Sequence, residues 1–585
     1  MANLLAVSDP DPGELDRIEK RLAASEEFGT VWRPEPRWLV AQAPLPESKP
    51  DGDALRARGF AFVEGRNRLD DGRGLEWLDR VAELADDAPH RLGELPGDFG
   101  FVRFRPDGTA LAVRSCGGTV PLYLHRREGE GLALGTLLNY FPRFLPGRLK
   151  PDPLVNASWV RTPLIFIDRR TFVDGVSILP RASYTDLSPG LAPRTGTYWD
   201  PRPDAVPRPS PEHARELRKH LIETLSRDLD VEGRNLLMLS GGVDSSSLAA
   251  LASGTVGRRL SSWSLIPIPS PARDHELSFI DPVVSDFGIE PAWKRELSEE
   301  NDRRWIAGAP GLPFQILHPA LCDLPRVSAA QEVRVLMSGA FADEMCGEFQ
   351  RMNDWVLHTS PWRLLTRPVP FSRRDYLIWG KRRLLEVIGR PRMPTADVPV
   401  WTPPDVVEEY GEWIRRHQAA LVRDHRPLRE LAARADADAW VAMYWEGASP
   451  FGVRPLLPFF NREALELAFQ CHPRELLGPG IKRLLRDALR DDVPARSLFR
   501  ADDGAWRGHF SDGTWTTEGA LPPAAQAVVR SDWFPFPPRE LPWHDGKLLA
   551  YAARVAEYLA AEPSSGAPPE SGRRGEGRPI AGTTT

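Results

Sequence analysis

Lysine is scarce in this chain. Of 585 residues, 75 are Lys or Arg, and only eight of those are lysine. A GC-rich genome explains most of the bias, so each retained lysine is a candidate for a site that prefers a compact ammonium to a guanidinium. Cysteine is scarce too. Cys116, Cys322, Cys346 and Cys471 stand far apart with no CxxC, which excludes a disulfide framework and a structural zinc site and fits a reducing cytoplasm. Positive charge is not in excess: the net charge is -6 and the pI about 6.1. No basic field steers nucleic acid, so no nucleic-acid partner is expected. No run approaches ~18 apolar residues, so neither a transmembrane helix nor a membrane partner is expected. The start, MANLLAVSDPDPGELDRIEK, lacks a basic n-region and reads as cytoplasmic rather than as a signal peptide. Residues 562–585 contain no aromatic and are dominated by Pro, Gly, Ser, Thr and charge. Such a tail cannot offset its ordering entropy and is expected to be disordered.

What is present is chain enough for about two to four domains. Residues 1–198 read as a β-rich first domain, with strands at WLVAQAPL, FAFVEG, FGFVRF, ALAVRS, VPLYLHRR and LALGTL between turn signals. A proline-rich linker is expected over 199–211. It ends in Ser210-Pro211, a helix start, and Leu217, Leu221 and Leu225 carry that helix to about Leu229. A second domain, 212–561, alternates strands (235–240, 259–268, 333–339) with helices, the signature of a parallel α/β sheet. Residues 350–500 look mostly helical and hold Trp355, Trp362, Trp379, Trp401, Trp413, Trp440 and Trp445.

The sharpest motif is Leu-Met-Leu-Ser-Gly-Gly-Val-Asp-Ser-Ser, residues 237–246. An apolar strand ends at Ser240. Gly241 and Gly242 let the backbone turn tightly and bring N–H groups to an anion. Ser245, Ser246 and Ser247 open a helix whose N-terminus is partly positive. Asp244 would repel bare phosphate, but suits a Mg²⁺ shared with phosphate oxygens. No lysine follows the glycines, so this is not the GxxxxGK[ST] loop.

Two further strings follow. Ser338-Gly339-Ala340-Phe341-Ala342-Asp343-Glu344 lies after another apolar strand, on the rim where Asp244 is expected. Gly480-Ile481-Lys482-Arg483-Leu484-Leu485-Arg486, then Asp492-Val493-Pro494 and Arg496, carries one of the eight lysines.

The first string resembles the SGGxDS loop of the ATP pyrophosphatase superfamily. The three in order resemble the synthetase domain of the asparagine-synthetase family, over about 212–510, with Pro458-Phe459-Phe460-Asn461 similar to its Pro-Phe-Leu-Asp stretch. The resemblance implies an adenine nucleotide alpha hydrolase-like parallel sheet with a helical extension, and ATP and Mg²⁺ as cofactors. It implies a nucleotide loop at Ser240, Gly241, Gly242, Asp244 and Ser245, with Ser338 and Gly339 beside it. It gives Mg²⁺ to Asp244 and Asp343, and to Lys482 the stabilising of charge as a carboxylate attacks the α-phosphate. Such a step builds negative charge on phosphorus, which a fixed ammonium and a metal relieve. The family has an arginine where Leu456 stands; Arg454 is displaced by two, and no role is assigned to it.

The first domain resembles the glutamine amidotransferase domain fused ahead of such synthetases, through Gly97-Asp98-Phe99-Gly100, Leu111-Ala112-Val113-Arg114 and Gly118-Thr119-Val120-Pro121-Leu122-Tyr123. An Ntn-type αββα sandwich is implied, but a degenerate one. Active members carry a nucleophilic cysteine after the initiator Met, where this chain has Ala2, and an Arg-Asp pair, where it has Arg114-Ser115. No ammonia release from glutamine is expected, so the nucleophile comes from elsewhere.

Ring-closing relatives offer an amine on the substrate itself. β-Lactam synthetases place a tyrosine three residues before the second aspartate, and asparagine synthetases a glutamate; here that residue is Ala340. The chain is therefore most similar to lasso-peptide macrolactam cyclases. That likeness implies a precursor core peptide as substrate, its Asp or Glu side chain adenylated and joined to the N-terminal amine. It also implies a leader-binding protein and a leader protease as partners. Asp274 and Glu276, expected in a loop after the second strand, resemble an acidic pair of these cyclases, and Glu344 joins them as a substrate candidate. An ammonia-using synthetase, an enzyme using another amine, and a nucleotide-binding scaffold are the alternatives.

Overall fold

Short apolar runs separated by turn residues give the first half of the chain its strands. The computed structural model describes residues 3–9, 11–43, 52–64, 74–95, 97–127, 131–145, 149–150, 152–155, 167–199, 210–267, 272–297, 319–346, 404–405, 407–409, 411–413, 435–471, 482–493, 514–516 and 540–542. The elements of the first half are β1 (Leu4–Ser8), α1 (Pro12–Ala23), β2 (Thr30–Glu35), β3 (Trp38–Gln42), α2 (Gly52–Ala57), β4 (Phe60–Glu64), α3 (Gly74–Asp87), β5 (Gly100–Phe104), β6 (Ala110–Arg114), β7 (Tyr123–Arg126), β8 (Leu132–Gly135), α4 (Tyr140–Phe144), β9 (Val176–Ile178), β10 (Ser183–Leu187) and β11 (Arg194–Thr197). The six runs read as strands from the sequence are β3 to β8.

They form a six-stranded sheet, β2-β3-β1-β8-β7-β9, and a five-stranded sheet, β11-β10-β6-β5-β4, antiparallel throughout. Alternate residues of a strand face opposite ways. Ala61, Val102, Phe104, Ala110 and Ala112 of the second sheet join a core shared with the first. Phe60, Phe101, Leu111 and Val113 turn the other way and meet Leu78, Val81 and Leu84 of α3. On the first sheet, α1 buries Leu15, Ile18 and Leu22 against β2 and β3.

The second half comprises α5 (Glu212–Asp228), β12 (Asn235–Met238), α6 (Val243–Ala249), β13 (Ser261–Pro267), α7 (Ala272–Asp286), β14 (Ala292–Leu297), α8 (Pro319–Gln331), β15 (Val335–Met337), α9 (Ala342–Cys346), α10 (Ala435–Ala448), β16 (Arg454–Leu456), α11 (Arg462–Gln470) and α12 (Arg483–Ala488). A separate pair, β17 (Thr514–Thr516) and β18 (Glu540–Pro542), follows. At the start of α5, Glu212 N–H donates to Ser210 Oγ (3.2 Å), and Leu217, Leu221 and Leu225 are buried.

The sheet of this half is parallel, in the order β14-β13-β12-β15-β16. The chain moves outward from β12 through β13 to β14, then returns to the other side of β12 as β15. The order therefore reverses between β12 and β15, and the crevice at the carboxyl ends of those two strands is where an open α/β sheet binds ligand. Two strands of this sheet escape the sequence reading, and both are edges. β14 is rich in charge (Lys294, Arg295, Glu296), and β16 contains Pro455. Charges and proline both belong on edge strands, and both mask the apolar run by which a strand is recognised.

Trp413 and Trp445 are buried and Trp440 is exposed. Trp355, Trp362, Trp379 and Trp401, most of the 199–211 linker, Ala2 and the 562–585 tail lie outside the described residues. Among the described residues no helix is long and apolar enough to cross a membrane.

Candidate active site

The loop leaving β12 is built by its glycine and serines. Gly241 has φ +69°, and a Cβ there would stand 2.8 Å from Phe279 Cβ and 3.0 Å from Phe279 backbone, so only glycine fits. Ser245 Oγ accepts from Ser240 N–H (3.2 Å) and lies 3.2 Å from Ser240 Oγ, while Gly242 N–H donates to Ser240 Oγ (3.3 Å). The loop is thereby closed on itself, and Asp244 enters the first turn of α6.

The loop leaving β15 is packed directly against it. Ser338 N–H donates to Leu456 O (3.1 Å), and Ala340 N–H donates to Ser338 Oγ (3.2 Å). A Cβ on Gly339 would lie 2.8 Å from Asp244 Cβ and 3.3 Å from Ser245 N. Gly339 is thus what lets the two motifs touch. Phe341 holds φ +70°, an uncommon backbone for an aromatic residue. Its ring stacks on Phe460, centroids 3.9 Å apart and 18° between planes. Asp343 follows in the first turn of α9.

Lys482 joins the two. It stands immediately before α12 with φ +58°, ψ +44°, a left-handed backbone at a non-glycine residue, as strained positions at functional sites often are. Its Nζ donates to Asp244 Oδ2 and lies 2.8 Å from Asp343 Oδ1. Side-chain exposure rises outward, from 10% for Lys482 through 20% for Asp244 to 48% for Asp343. Burial alone would lower the Lys482 ammonium, but Asp244 and Asp343 together hold it above the ordinary lysine value. Burial pushes the Asp244 carboxyl up, against the pull of Lys482. Arg486, one turn along α12, is also buried, and burial lowers it against the attraction of Asp244.

The donor set suits a hard cation. Asp244 Oδ2 is held by Lys482, while Asp244 Oδ1 is buried with no hydrogen-bond partner among the described residues. Asp343 opens toward solvent on the same rim. Among the described residues no cluster of three or more His, Cys, Asp or Glu is found. A metal here would draw its remaining ligands from water and phosphate, the habit of magnesium.

Other expected residues fall elsewhere. Asp274 and Glu276 lie in the first turns of α7, not in a loop; Asp274 is exposed and Glu276 buried. Asp274 sits where the helix dipole favours a carboxylate, and residues two apart on a helix face different ways. Glu344 follows Asp343 in α9 and acts electrostatically on Tyr444. Arg454 is a structural tie, its Nη2 donating to Asp228 O. Two contributors were not apparent from sequence. Tyr444 of α10 places its hydroxyl 3.0 Å from Ser338 Oγ, and Phe460 supports Phe341. Both contacts join residues far apart in the chain, and only the Pro458-Phe459-Phe460-Asn461 string hinted at the second.

In the first half, Arg114, Ser115 and Cys116 are buried. Arg114 is fully buried, donating to Val120 O (2.9 Å), Leu179 O and Gly118 O (2.8 Å), and it pairs with Asp438 of α10 (3.1 Å). Ser115 Oγ donates to Asp98. Cys116 is buried beside them, which pushes its thiol up to about 12.

A model of the asparagine synthase family matches residues 216–562, more than half of the chain. No curated protein matches it.

Proposed function

The chain belongs to the asparagine synthase family, whose members are ATP-dependent carbon–nitrogen ligases, and from that premise we propose that it activates a carboxylate as an acyl-adenylate and passes the acyl group to an amine. The observation that carries this reading is Lys482 set between Asp244 and Asp343 at the reversal point of the parallel sheet.

In this reading the backbone of Ser240, Gly241 and Gly242 and the start of α6 receive the phosphates of ATP. Asp244 and Asp343 hold Mg²⁺, which when bound offsets the charge of the leaving pyrophosphate. A substrate carboxylate oxygen attacks the α-phosphorus, the bond to the bridging oxygen breaks, and pyrophosphate leaves. Lys482 supplies a fixed positive charge as negative charge grows at phosphorus. Held above its usual pKa by two carboxylates, it keeps its proton throughout. An amine then attacks the acyl carbon, AMP leaves, and the nitrogen gives up a proton.

The first half is read as a silenced amidotransferase domain. Arg114 is committed to three carbonyls and Asp438, Ser115 stands where the family has an aspartate, and Cys116 is a protonated, buried thiol. With no ammonia source of its own, the enzyme takes an amine from its substrate, and the N-terminal amine of a lasso-peptide precursor, closing on an Asp or Glu side chain, is the substrate we favour. Incubation with ATP, Mg²⁺ and such a peptide should yield AMP, pyrophosphate and a peptide lighter by one water. Turnover of free aspartate and ammonia instead would make the chain an ammonia-using synthetase, and no turnover with any carboxylate a nucleotide-binding scaffold.

A further inference from the structure

We propose that Arg181, in the N-terminal half, is a positioning residue for the ligase centre: it fixes both supports of the loop that presents Asp343. This rests on the reading of Asp343 as a magnesium holder.

The loop 338–343 is held at two points. At its start, Ser338 Oγ meets the Tyr444 hydroxyl of α10 at 3.0 Å and takes the Ala340 N–H at 3.2 Å. In its middle, Phe341 lies flat on Phe460. Each support leads to the same guanidinium. Arg181 lies over the other partner of the stack, 4.7 Å from the Phe460 centroid, a cation–π distance. Its Nε is 3.2 Å from Asp438 Oδ1, on the helix that carries Tyr444. Arg181 has little room to move: a Cβ on Gly118 would come within 2.3 Å of its Cγ, and its side chain is 4% exposed.

The backbone of Phe341 explains why the supports matter. At φ +70° the residue is strained, and such strain persists only where the surroundings over-determine it. Asp343 is two residues further on and half exposed, so its place is set by the loop rather than by burial. Loss of either support lets Phe341 relax and carries Asp343 off the rim, while the loop after β12 stays as it is. The first half is thereby a fixed wall of the centre.

The test uses the full chain and ATP itself. ATP binding is titrated calorimetrically with Mg²⁺ and again with EDTA. Amide hydrogen exchange over 338–346 is measured without nucleotide. Arg181→Met and Phe460→Leu should each weaken binding in Mg²⁺ by roughly 2- to 30-fold, leave binding in EDTA unchanged, and speed exchange of the loop. The double variant should be no worse than Arg181→Met alone, because the Phe460 stack is one of the two supports that Arg181 fixes. Phe460→Tyr, which keeps the ring stack, should behave as wild type. Folded variants with wild-type magnesium-dependent affinity and loop exchange overturn the proposal, as does an equal loss in Mg²⁺ and EDTA. If Arg181→Met does not fold, Arg181→Lys, which keeps the charge but not the planar guanidinium over the ring, takes its place with the same expected outcomes. If the wild type binds ATP no more tightly with Mg²⁺, or Asp343→Asn changes nothing, the ligase reading has failed instead, and loop exchange alone decides whether Arg181 holds the loop.

Discussion

At the scale of single residues, the centre is a balance of three charges, of which Asp343 is half exposed. The two carboxylates give Lys482 more than burial takes away, while burial raises the Asp244 carboxyl against the pull of that ammonium. Removing the cation should cost the chemistry most. Lys482→Met is expected to lower pyrophosphate release by roughly 100- to 1000-fold, read in a coupled pyrophosphate assay. Asp244→Asn should release no pyrophosphate, and because it takes from the buried Lys482 the first of the two carboxylates that hold its ammonium above the ordinary value, it should also melt below the wild type. A calorimetric scan showing no destabilisation would contradict this. Much at this scale is legible in the sequence. The SGGVDS string names its own loop, and the shortage of lysine singles out Lys482. The left-handed backbone of Lys482 and Phe341 is not legible, because neither is a residue type that announces such a conformation.

At the scale of elements, α10 is shared by both halves. Glu446 accepts from Leu138 N–H (2.7 Å) and interacts with Tyr123, and burial pushes it up to about 8. Trp445 Nε1 and Ser449 Oγ both donate to Asn3 Oδ1. Glu446 should therefore be protonated in the folded protein at neutral pH and ionised in the unfolded chain. Its contribution is complete below about 4.5, its ordinary value, and falls away as pH rises to about 8. Glu446→Gln should match wild type near the lower end, gain on it steadily, and hold a constant advantage above the upper end, as urea unfolding at a series of pH values would show. A pH-independent difference would refute the assignment. The sequence places α10 in a mostly helical stretch but does not show these contacts, since a buried Glu and an exposed one read alike. It likewise hides β14 and β16, whose charges and proline are edge-strand traits, and shows Asp274 and Glu276 as an acidic run without telling loop from first helical turn.

At the scale of the whole molecule, the halves are joined through buried charge. Asp438 faces Arg114 at 3.1 Å and Arg181 at 3.2 Å, all three nearly inaccessible. Breaking such a cluster from one side leaves uncompensated cations, so Asp438→Asn is expected to cost about 3–5 kcal/mol, measured by urea unfolding of the full chain. The parallel sheet follows from alternating elements that the sequence displays, but its strand order and the reversal between β12 and β15 do not. The joint between the halves does not, because its residues lie hundreds of positions apart and no local pattern records them. The chemistry is decided by where ATP is cut. Phosphorus NMR of the wild-type reaction with Mg²⁺ and a peptide bearing a free N-terminal amine and an Asp or Glu side chain should show AMP and pyrophosphate rising together, and neither with Lys482→Met. ADP and inorganic phosphate in their place would contradict it.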